Sequence, residues 1–588
     1  MKTTLSQLTI AVLVAMVSST AHSVPDSPTL LHQGEALEHN RRESLKALDA
    51  LIRPEPNAQL SLPETSSQTP ARLMEGEIPC FPIQHVVLDG TEAKRFQDIF
   101  DSIVDQSGFQ SGFCLGTQGI SALMERFQNA LYVRGYSTTR VLVENQNLRS
   151  GTLTLTVVPG RIRHIVYDTT NADETHVRRI MGWGNQFPLR EGDILNLHVL
   201  EQGLENLRRN PTVSAELRIE PADSPNESDV VVVWRQRLVP WRLAVSVDDA
   251  GNRATGRYQG SVTVAGDNPF GLSDLFYLNV SRAIGHRPKV VGEDGAQVKS
   301  GTTGIVVHYS VPFGNWLYAV THQQFSYHQG VQGFSDIYDY SGRSRTSTLE
   351  VSRLLYRDAV RKTFGSFKLW TRESENFIDG VPLDVQHRRT TGWALALSHE
   401  EHLGRAVLDA RLEYKRGTGA LQSLSSPGED FDEGTSRMKV LMFDLAASIP
   451  FELIGENFLF QSTVHWQHNF TPLDVPEQLA IGGRYTVRGF DGDVTLMAEH
   501  GGYWQNTFAW NFLDQHQLYV GLDAGCIGGP MADYQLGRTL VGSVFGVRGR
   551  TDLLGSLYYD VFVGKPLKKP DYFQTAQYAV GFSLNWTF

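Results

Sequence analysis

The residues that most resemble a catalytic group are His399-Glu400-Glu401-His402, in which two histidines flank two carboxylates. A zinc protease places its histidines four positions apart, so that both lie on one helix face, whereas these are three apart. We therefore predict that they lie in an exposed loop after a strand at residues 393–397. The chain has no GxSxG nucleophile elbow and no phosphate-binding loop. The sequence predicts neither an enzyme nor a cofactor or metal site.

The N-terminus has the features of a secretory signal peptide. Met1-Lys2 gives a basic start, residues 8–17 are apolar, and small residues around Ala21 offer a cleavage site, so we assign residues 1–23 to it. A membrane anchor is the alternative, but an apolar stretch of about 10 residues is too short to span a bilayer. The net charge of −11 argues against nucleic acid as a partner.

Three cysteines occur in the chain: Cys80, Cys114 and Cys526. An exported protein meets an oxidising compartment, in which disulfides persist. Cys80 and Cys114 are near enough in sequence to close one loop, so we predict a structural disulfide between them. Cys526 is left over, and no CxxC or Cys/His grouping indicates zinc.

Two segments precede the first compact unit. Residues 24–52 carry leucines at roughly helical spacing, and the other face of this helix is charged, with Glu38, Arg42 and Lys46 among its residues. So polar a helix suits a wet cavity, although a loose surface helix is the alternative. Residues 53–77 contain prolines among Ser, Thr and Gln, a composition typical of a linker.

Residues 78–158 and 159–236 share one order of elements, β-α-α-β-β. In the first unit, these elements are predicted at residues 83–88, 93–104, 119–134, 138–143 and 152–158. In the second unit, they are predicted at residues 161–167, 174–181, 197–209, 213–219 and 230–234. An order that occurs twice in tandem indicates a repeated small α/β domain.

From residue 237 the pattern changes to strands of about ten residues separated by short turns. The last strand is the clearest, with one face formed by Tyr578, Val580, Phe582, Leu584, Trp586 and the C-terminal Phe588. One apolar and one polar face suit a transmembrane barrel with lipid outside and water inside, whereas a soluble sandwich would bury the apolar face. At roughly 22 residues per strand and connection, residues 237–588 predict about 16 antiparallel strands.

Several short motifs accompany this order of elements. They are Pro79-Cys80-Phe81-Pro82-Ile83, Cys114-Leu115, Arg134-Gly135-Tyr136, Gly251-Asn252-Arg253, Thr255-Gly256, Asp267-Asn268-Pro269 and Ile481-Gly482-Gly483-Arg484-Tyr485-Thr486-Val487-Arg488-Gly489-Phe490. With these motifs the chain resembles the transporters of two-partner secretion, which are outer-membrane barrels with periplasmic POTRA domains. The last motif is the most specific, because it precedes a final strand that ends on an aromatic residue.

The resemblance implies a mainly β protein: a transmembrane antiparallel β-barrel of about 16 strands, two α/β POTRA domains and a plug helix in the lumen. It implies export of a large, unfolded exoprotein with a β-helical secretion domain, without ATP. It also implies a monomer in contact with outer-membrane lipid and lipopolysaccharide, assembled by the barrel assembly machinery and periplasmic chaperones. Phe582, Leu584, Trp586 and Phe588 would form the C-terminal strand signal.

In this family a loop carrying Val487-Arg488-Gly489-Phe490 folds back into the barrel, and its arginine pairs with the aspartate of an x-D-x-G motif. Leu522-Asp523-Ala524-Gly525 matches that motif, so the resemblance implies an ion pair between Arg488 and Asp523. We place Asp523 just after a strand at residues 518–522. A fixed guanidinium inside a barrel needs a carboxylate, because an unpaired buried charge is costly. The alternative puts Arg488 in a solvated loop and Asp523 in a hairpin turn.

POTRA domains would bind the passenger by strand addition, with residues 123–131 and 139–143 as candidate surfaces. The alternative is that both segments pack only within their domain. An assembly factor that inserts other barrels is the competing function, since it uses the same parts, but two repeats and a plug helix favour transport. Adhesin, haemolysin and contact-dependent growth-inhibition toxin remain open as passengers.

Overall fold

The computed structural model describes residues 38, 42, 43, 46, 52, 77–168, 184–292, 295, 297–333, 336–552 and 555–588. The predicted signal peptide, nearly all of the linker and the helix predicted at residues 174–181 lie outside them. So does most of the predicted plug helix, although its five described residues are helical. Among the described residues, no helix is both long and apolar enough to cross a membrane.

The first α/β unit has a three-stranded sheet covered by two helices. Its elements are β1 (Phe81–Ile83), β2 (His85–Asp89), α1 (Ala93–Ser107), β3 (Phe113–Leu115), α2 (Thr117–Val133), β4 (Arg140–Leu142) and β5 (Thr152–Val158). β5 is the central strand, parallel to β2 and antiparallel to β4. Its leucines and Val157 are buried while its threonines are not, because successive side chains of a strand point to opposite faces.

The strand predicted at residues 83–88 is two strands, because the chain bends at Gln84, whose amide donates to the Gly151 carbonyl. β1 leaves the main sheet and pairs with β3, a ladder that the sequence pattern did not predict. The bond between Cys80 and Cys114 lies at this ladder, with a Cα–Cα distance of 5.4 Å. The disulfide therefore ties β1 to the start of α2.

The described part of the second unit repeats the main sheet and one helix of this arrangement. Its described elements are β6 (Arg161–Asp168), α3 (Leu197–Arg208), β7 (Val213–Pro221) and β8 (Glu227–Gln236). β8 is central, parallel to β6 and antiparallel to β7. Helix α3 begins at Asn196, whose side chain accepts a hydrogen bond from the Val199 amide as an N-cap. Its leucines pack on Trp234 of β8 in one core.

Sixteen long antiparallel strands then close into a barrel. These strands are β9 (Trp241–Asp248), β10 (Gln259–Asp267), β11 (Leu275–Ala283), β14 (Gly301–Phe313), β15 (Trp316–Gln332), β16 (Ile337–Arg357), β17 (Arg361–Ile378), β19 (Arg388–Leu403), β20 (Ala406–Thr418), β21 (Lys439–Leu453), β22 (Glu456–Asn469), β25 (His500–Leu513), β26 (His516–Gly528), β27 (Thr539–Asp552), β28 (Ser556–Lys568) and β29 (Ala579–Thr587). The short strands between them are β12 (Lys289–Val291), β13 (Gln297–Lys299), β18 (Val381–Pro382), β23 (Leu479–Ile481) and β24 (Leu496–Ala498). The pairing of β29 with β9 closes the cylinder.

Alternation along the strands separates an outer wall from a lumen. On β17, Phe367 and Leu369 are exposed on the outside, whereas Trp370 and Arg372 are buried on the inside. The end of the barrel beside the α/β units is its near end, and the opposite end is its far end. A barrel that presents apolar side chains outward and charged side chains inward is built for lipid outside and water inside.

Two expectations about strand ends were wrong. The segment from His399 to His402 is not a loop, because β19 continues to Leu403 with its backbone paired to β17 and β20. Likewise, Asp523 does not follow a strand but lies inside β26, which runs on to Gly528. Both segments belong to strands that are longer than a bilayer needs. The apolar alternation that marks a strand in the sequence covers only part of each one.

Candidate functional site

The connection between β22 and β25, here called the lumen loop (residues 470–499), enters the barrel from the far end. Its short strands β23 and β24 pair as a hairpin inside the lumen. Val487 is completely buried and Phe490 is 3% exposed, in one apolar cluster with Ile527 and Leu540 of the wall. The Phe490 ring meets the Phe573 ring edge to face, with centroids 5.8 Å apart. The loop is therefore packed against the wall and is not a solvated excursion.

Arg488 of this loop makes a two-pronged contact with Asp523 of β26. The guanidinium Nε lies 2.7 Å from Asp523 Oδ2 and Nη2 lies 2.8 Å from Oδ1. The Arg488 backbone amide donates to Oδ2 at 2.9 Å, and Nη2 also donates to the Asn506 carbonyl. Asp523 has no solvent exposure, so its charge depends on these donors. The contact is the fork geometry for which arginine is suited and lysine is not.

Glycines in the barrel wall make room for the loop backbone. A Cβ atom on Gly542 would lie 2.0 Å from the Arg488 carbonyl oxygen, and one on Gly564 would lie 2.7 Å from the Cα of Gly489. Gly489 has φ of 112°, a conformation that favours glycine, and its own Cβ would meet the Lys565 carbonyl oxygen. These wall glycines were not predicted, because their position opposite the motif depends on where the loop meets β27 and β28.

A second loop arginine, Arg484, was also missed as a functional candidate. It lies at the pairing of β9 with β29, where its Nη2 is 2.9 Å from Asp249 Oδ1 and 3.2 Å from the Phe582 carbonyl oxygen. Arg484 lies in the longest of the quoted motifs, but Asp249 lies outside all of them, so no pattern in the sequence linked the two residues.

The described residues of the N-terminal helix lie inside the lumen. Glu38 contacts Arg372 of β17 at 2.7 Å and accepts a hydrogen bond from the Ser344 hydroxyl at 2.9 Å. Ile52 packs with Ala265, Tyr277 and Val306 of the wall. These contacts place the described part of the helix where a plug would stand, held by an ion pair at Glu38 and by apolar packing at Ile52.

The helix and the base of the lumen loop share one charged cluster. Arg42 of the helix and Arg372 of the wall both donate to the Pro476 carbonyl, at 3.0 and 3.1 Å. The adjacent Glu477 lies 2.6 Å from Lys415 and 3.6 Å from Arg372. Movement of the loop base and movement of the helix therefore disturb the same set of buried charges.

The second α/β unit is joined to the near end of the barrel through α3. Arg357 of β16 contacts Glu205 at 2.8 Å and Glu201 at 3.3 Å, and Lys362 contacts Glu205 at 2.8 Å. His198 continues this contact toward the first unit, because its Nε2 lies 3.0 Å from the Val133 carbonyl. Burial would lower the pKa of His198, but its hydrogen bonds to Glu201 and the Val133 carbonyl raise it above the ordinary 6.5.

Two other motifs from the sequence lie at the contacts between the α/β units and between the second unit and the barrel. The Gly135 carbonyl accepts from the Leu197 amide at the start of α3, which links the two α/β units. Asp267 is completely buried, receives the fork of Arg242 and accepts from the Thr212 amide at 3.0 Å. The motif around residue 267 therefore fastens the second unit to the barrel.

The outer edge of β4 in the first unit is partly occupied. The Gln128 side chain of α2 donates to the Thr139 carbonyl at 2.8 Å and accepts from the Val141 amide at 2.9 Å. These two backbone groups point away from β5 and are those an added strand would use. Leu142 and Val143 beside them are exposed, whereas Leu123 and Leu131 of the predicted helix surface are core residues.

Among the described residues, Glu373, Glu375 and His387 form a group that could hold a metal ion, with ligand atoms within 4.8 Å of one another. Both glutamates share the outward face of β17 with Leu369, beyond its apolar part. Arg345 already lies 3.7 Å from Glu373. The group lies on the outer wall, away from the lumen.

Cys526 is a free, exposed cysteine in β26. At the end of the chain, Phe582, Leu584 and Trp586 lie in β29, and the Phe588 amide donates to the Leu243 carbonyl of β9. The rings of Trp586 and Phe588 are in contact, tilted by 32° with centroids 4.9 Å apart. The last strand is therefore a structural member of the barrel closure.

A closed barrel of 16 strands, preceded by two POTRA-type domains and filled by its own loop and helix, defines an outer-membrane transporter. The POTRA family models match residues 81–160 (ShlB-type) and 161–221. The model for the haemolysin secretion/activation proteins ShlB/FhaC/HecB matches residues 226–549, more than half of the chain. The chain belongs to this family, whose POTRA domains lie in the periplasm.

Individual relatives agree with the family. The chain is 32% identical to the outer membrane transporter CdiB-2 of Burkholderia pseudomallei over 98% of both chains. It is 25% identical to the hemolysin transporter protein ShlB of Serratia marcescens over 86% of both. The solved structure of CdiB from Acinetobacter baumannii superposes with a TM-score of 0.80 at 27% identity, over 96% of this chain and all of that one. The chain is thus a two-partner secretion transporter of the outer membrane, and the competing function of barrel assembly is not supported.

Proposed function

We propose that this transporter exports one large exoprotein of the contact-dependent growth-inhibition class through the barrel lumen. The observation that carries the passenger class is the 32% identity, over 98% of the chain, to a relative named CdiB-2. A haemolysin is the second candidate, because a haemolysin transporter is 25% identical over 86% of the chain.

The proposed pathway begins at the first POTRA domain. An unfolded passenger strand pairs with the edge of β4, which is an outer strand of its sheet and has Leu142 and Val143 exposed beside it. The Gln128 amide already bonds two groups of this edge, so the incoming strand must displace it. Displacement by a continuous strand exchanges side-chain hydrogen bonds for backbone ones and makes recognition dependent on β-strand propensity.

In the lumen, the plug helix of residues 24–52 leaves before the passenger enters, and the loop with Val487, Arg488, Gly489 and Phe490 stays against the wall through Asp523. The support for this order is the type of contact. Among its described residues, the helix contacts the wall through charges that water can replace, such as Glu38 with Arg372, and through Ile52, whereas the loop adds a larger buried apolar cluster. Transport is proposed to proceed without ATP.

We further assign residues 1–23 to a signal peptide, 53–77 to a linker, 78–158 and 159–236 to the POTRA domains and 237–588 to the barrel. The strand signal of Phe582, Leu584, Trp586 and Phe588 is proposed to be read by the barrel assembly machinery after delivery by periplasmic chaperones. Outward apolar side chains such as Leu369 contact lipid and, at the far end, lipopolysaccharide. The transporter is proposed to work as a monomer.

The test is co-expression with a growth-inhibition exoprotein and, separately, with a haemolysin in a Gram-negative host lacking both systems. We expect the inhibition exoprotein at the cell surface and the haemolysin retained in the periplasm. Surface haemolysin without the inhibition exoprotein would reverse the passenger assignment. Loss of other outer-membrane barrels when the gene is deleted from its natural host would instead support an assembly role.

A further inference from the structure

The barrel closes at its shortest strand pairing, here called the seam. β9 and β29 pair over five residues, from Ala244 with Thr587 to Asp248 with Ser583. The neighbouring pairings are longer: β29 pairs with β28 over nine residues and β9 with β10 over eight. Beyond Asp248 the described ladder ends in one long backbone bond, from the Asp249 amide to the Phe582 carbonyl at 3.4 Å. The far half of the seam therefore needs other contacts.

Side chains supply these contacts. Asp249 Oδ1 accepts from the Phe582 amide at 2.8 Å, and Arg484 of the lumen loop donates to the Phe582 carbonyl at 3.2 and 3.3 Å. Arg484 and Asp249 also form an ion pair at 2.9 Å. One residue of the last strand, Phe582, is thus held at its amide by the carboxylate that directly follows β9 and at its carbonyl by a guanidinium from the loop.

The surroundings of Arg484 are shaped for it. Its side chain is 14% exposed, and its guanidinium lies over the Phe562 ring at 5.0 Å from the centroid. A Cβ atom on Gly581 would lie 2.6 Å from Arg484 Nη2, so glycine at this position of β29 leaves space for the arginine. Asp249 is only 6% exposed, so its charge requires a partner.

The lumen loop also holds the chain segments on each side of the seam. Asp491 accepts from the Ala576 amide at 2.9 Å, in the connection that leads into β29. Asp493 pairs with Arg253 at 2.9 Å, in the connection that follows β9. The same loop therefore contacts the chain on both sides of the seam, in addition to its contact with Asp523.

We propose that Arg484 is a positioning residue that closes the far half of the seam, so that displacement of the lumen loop and opening of the seam are one coupled event. When the loop moves, Phe582 loses a charged donor and Asp249 keeps only Arg257, at 3.0 Å, as its counter-ion. Beyond the five-pair ladder, the seam then depends on Asp249 and on the bond from Arg257 to the Val580 carbonyl. The proposal goes beyond export of a particular passenger and is tested without one.

The experiment is hydrogen–deuterium exchange on the full-length protein in detergent, read on peptides that cover residues 579–582 and, for comparison, β19, which lies away from the seam and from the lumen-loop motif. In Arg484→Gln we expect exchange at residues 579–582 to rise by about tenfold, the effect of losing charge-assisted hydrogen bonds, with β19 unchanged. Arg488→Ala, which frees the loop at its other attachment, should accelerate the same peptide. The matched control is Arg548→Gln, a lumen arginine that contacts Gln461 and Gln517 away from the seam.

A second variant covers failure of Arg484→Gln to fold. Asp249→Asn keeps an oxygen for the Phe582 amide but removes the charge that holds Arg484, and should also accelerate exchange at residues 579–582. Conservative Arg484→Lys should give an intermediate rate, since one ammonium reaches fewer acceptors. Unchanged exchange at residues 579–582 in the folded variants, or equal acceleration in β19, would overturn the proposal.

Discussion

Glu38 of the N-terminal helix and Arg372 of the barrel wall form a buried ion pair at 2.7 Å inside the lumen. The pair joins a segment before the POTRA domains to a strand far along the chain, and Arg372 also reaches Pro476 at the base of the lumen loop. Release of a plug held by such a contact has a free-energy cost, because two desolvated charges must be separated. That cost is several kcal/mol in a dry interior and falls as water enters the lumen.

Glu38→Ala should therefore raise the ion conductance of the barrel in planar bilayers. Removing one partner of a buried pair costs about 3–5 kcal/mol locally, which weakens the attachment of the helix to the wall. Deletion of residues 24–52 should give at least the same increase. Lys46→Ala is the matched control, because Lys46 is exposed and pairs with Glu43 within the helix itself. Equal conductance in all four proteins would count against the plug assignment.

Replacing Cys80 and Cys114 together by serine should destabilise the first POTRA domain by about 2–4 kcal/mol, because the unfolded chain gains the freedom of an open loop. The measurement is the thermal unfolding of the purified protein, together with its level in the membrane. Secretion per folded molecule should be unchanged, since the bond lies at β1 and β3 and not at the β4 edge. Cys526→Ser should leave the unfolding temperature unaffected. If Cys526→Ser lowered the unfolding temperature as much as the double variant does, a specific role for the Cys80–Cys114 bond would be disproved.

Gln128→Ala should strengthen binding of the passenger's secretion domain. The variant frees the Thr139 carbonyl and Val141 amide for an incoming strand, and two displaced hydrogen bonds at about 1 kcal/mol each correspond to roughly tenfold or more in affinity. Binding is measured between the full-length transporter in detergent and the isolated secretion domain. Gln97→Ala, which breaks a surface contact to Asp101 within α1, is the control. Affinity that is unaffected by Gln128→Ala would place recognition elsewhere.

His198 gives the junction of the POTRA domains with the barrel a pH dependence. Its pKa is raised in the folded protein, so its stabilising contribution is complete below the ordinary value of 6.5 and is lost as pH rises through the folded pKa. The charged groups facing it are Glu201 of α3 and Arg357 of β16. Unfolding temperatures of the wild type should therefore fall on the alkaline side more steeply than those of His198→Gln. His164→Gln, at an exposed histidine, is the control. If unfolding temperature depended on pH in the same way in all three proteins, His198 would not be the source of the pH dependence.

The fold was predictable because its signals are periodic. Alternation of apolar and polar residues marks the strands that lipid contacts on one side, and the last strand, with Trp586 and Phe588, shows it without interruption. Strand ends were less predictable, as at His399, because β19 extends past the membrane where polar residues replace the apolar face. Hydrogen bonding to β17 and β20 continues there regardless of side-chain type.

The site was predictable only where a family motif names both partners. Arg488 and Asp523 fall in two such motifs, and the structure joins them. Arg484 with Asp249, and Gln128 with the β4 edge, depend on which strands meet when the barrel closes or on which face of a helix covers a sheet. Those contacts are set by tertiary packing between distant segments, and an isolated arginine or glutamine carries no local sign of them.

The central claim is that export depends on the lumen loop being held at Asp523 by Arg488, and secretion by Arg488→Ala tests it most directly. The assay is exoprotein in the medium or at the surface, normalised to heat-modifiable folded barrel in the membrane. Loss of the pair costs on the order of 3–5 kcal/mol locally, which the strand pairing tolerates but the loop attachment does not. We expect normal levels of folded barrel and sharply reduced secretion, with Arg488→Lys rescuing poorly and Arg488→Ala/Asp523→Ala no worse than either single variant. Normal secretion by folded Arg488→Ala would contradict the account.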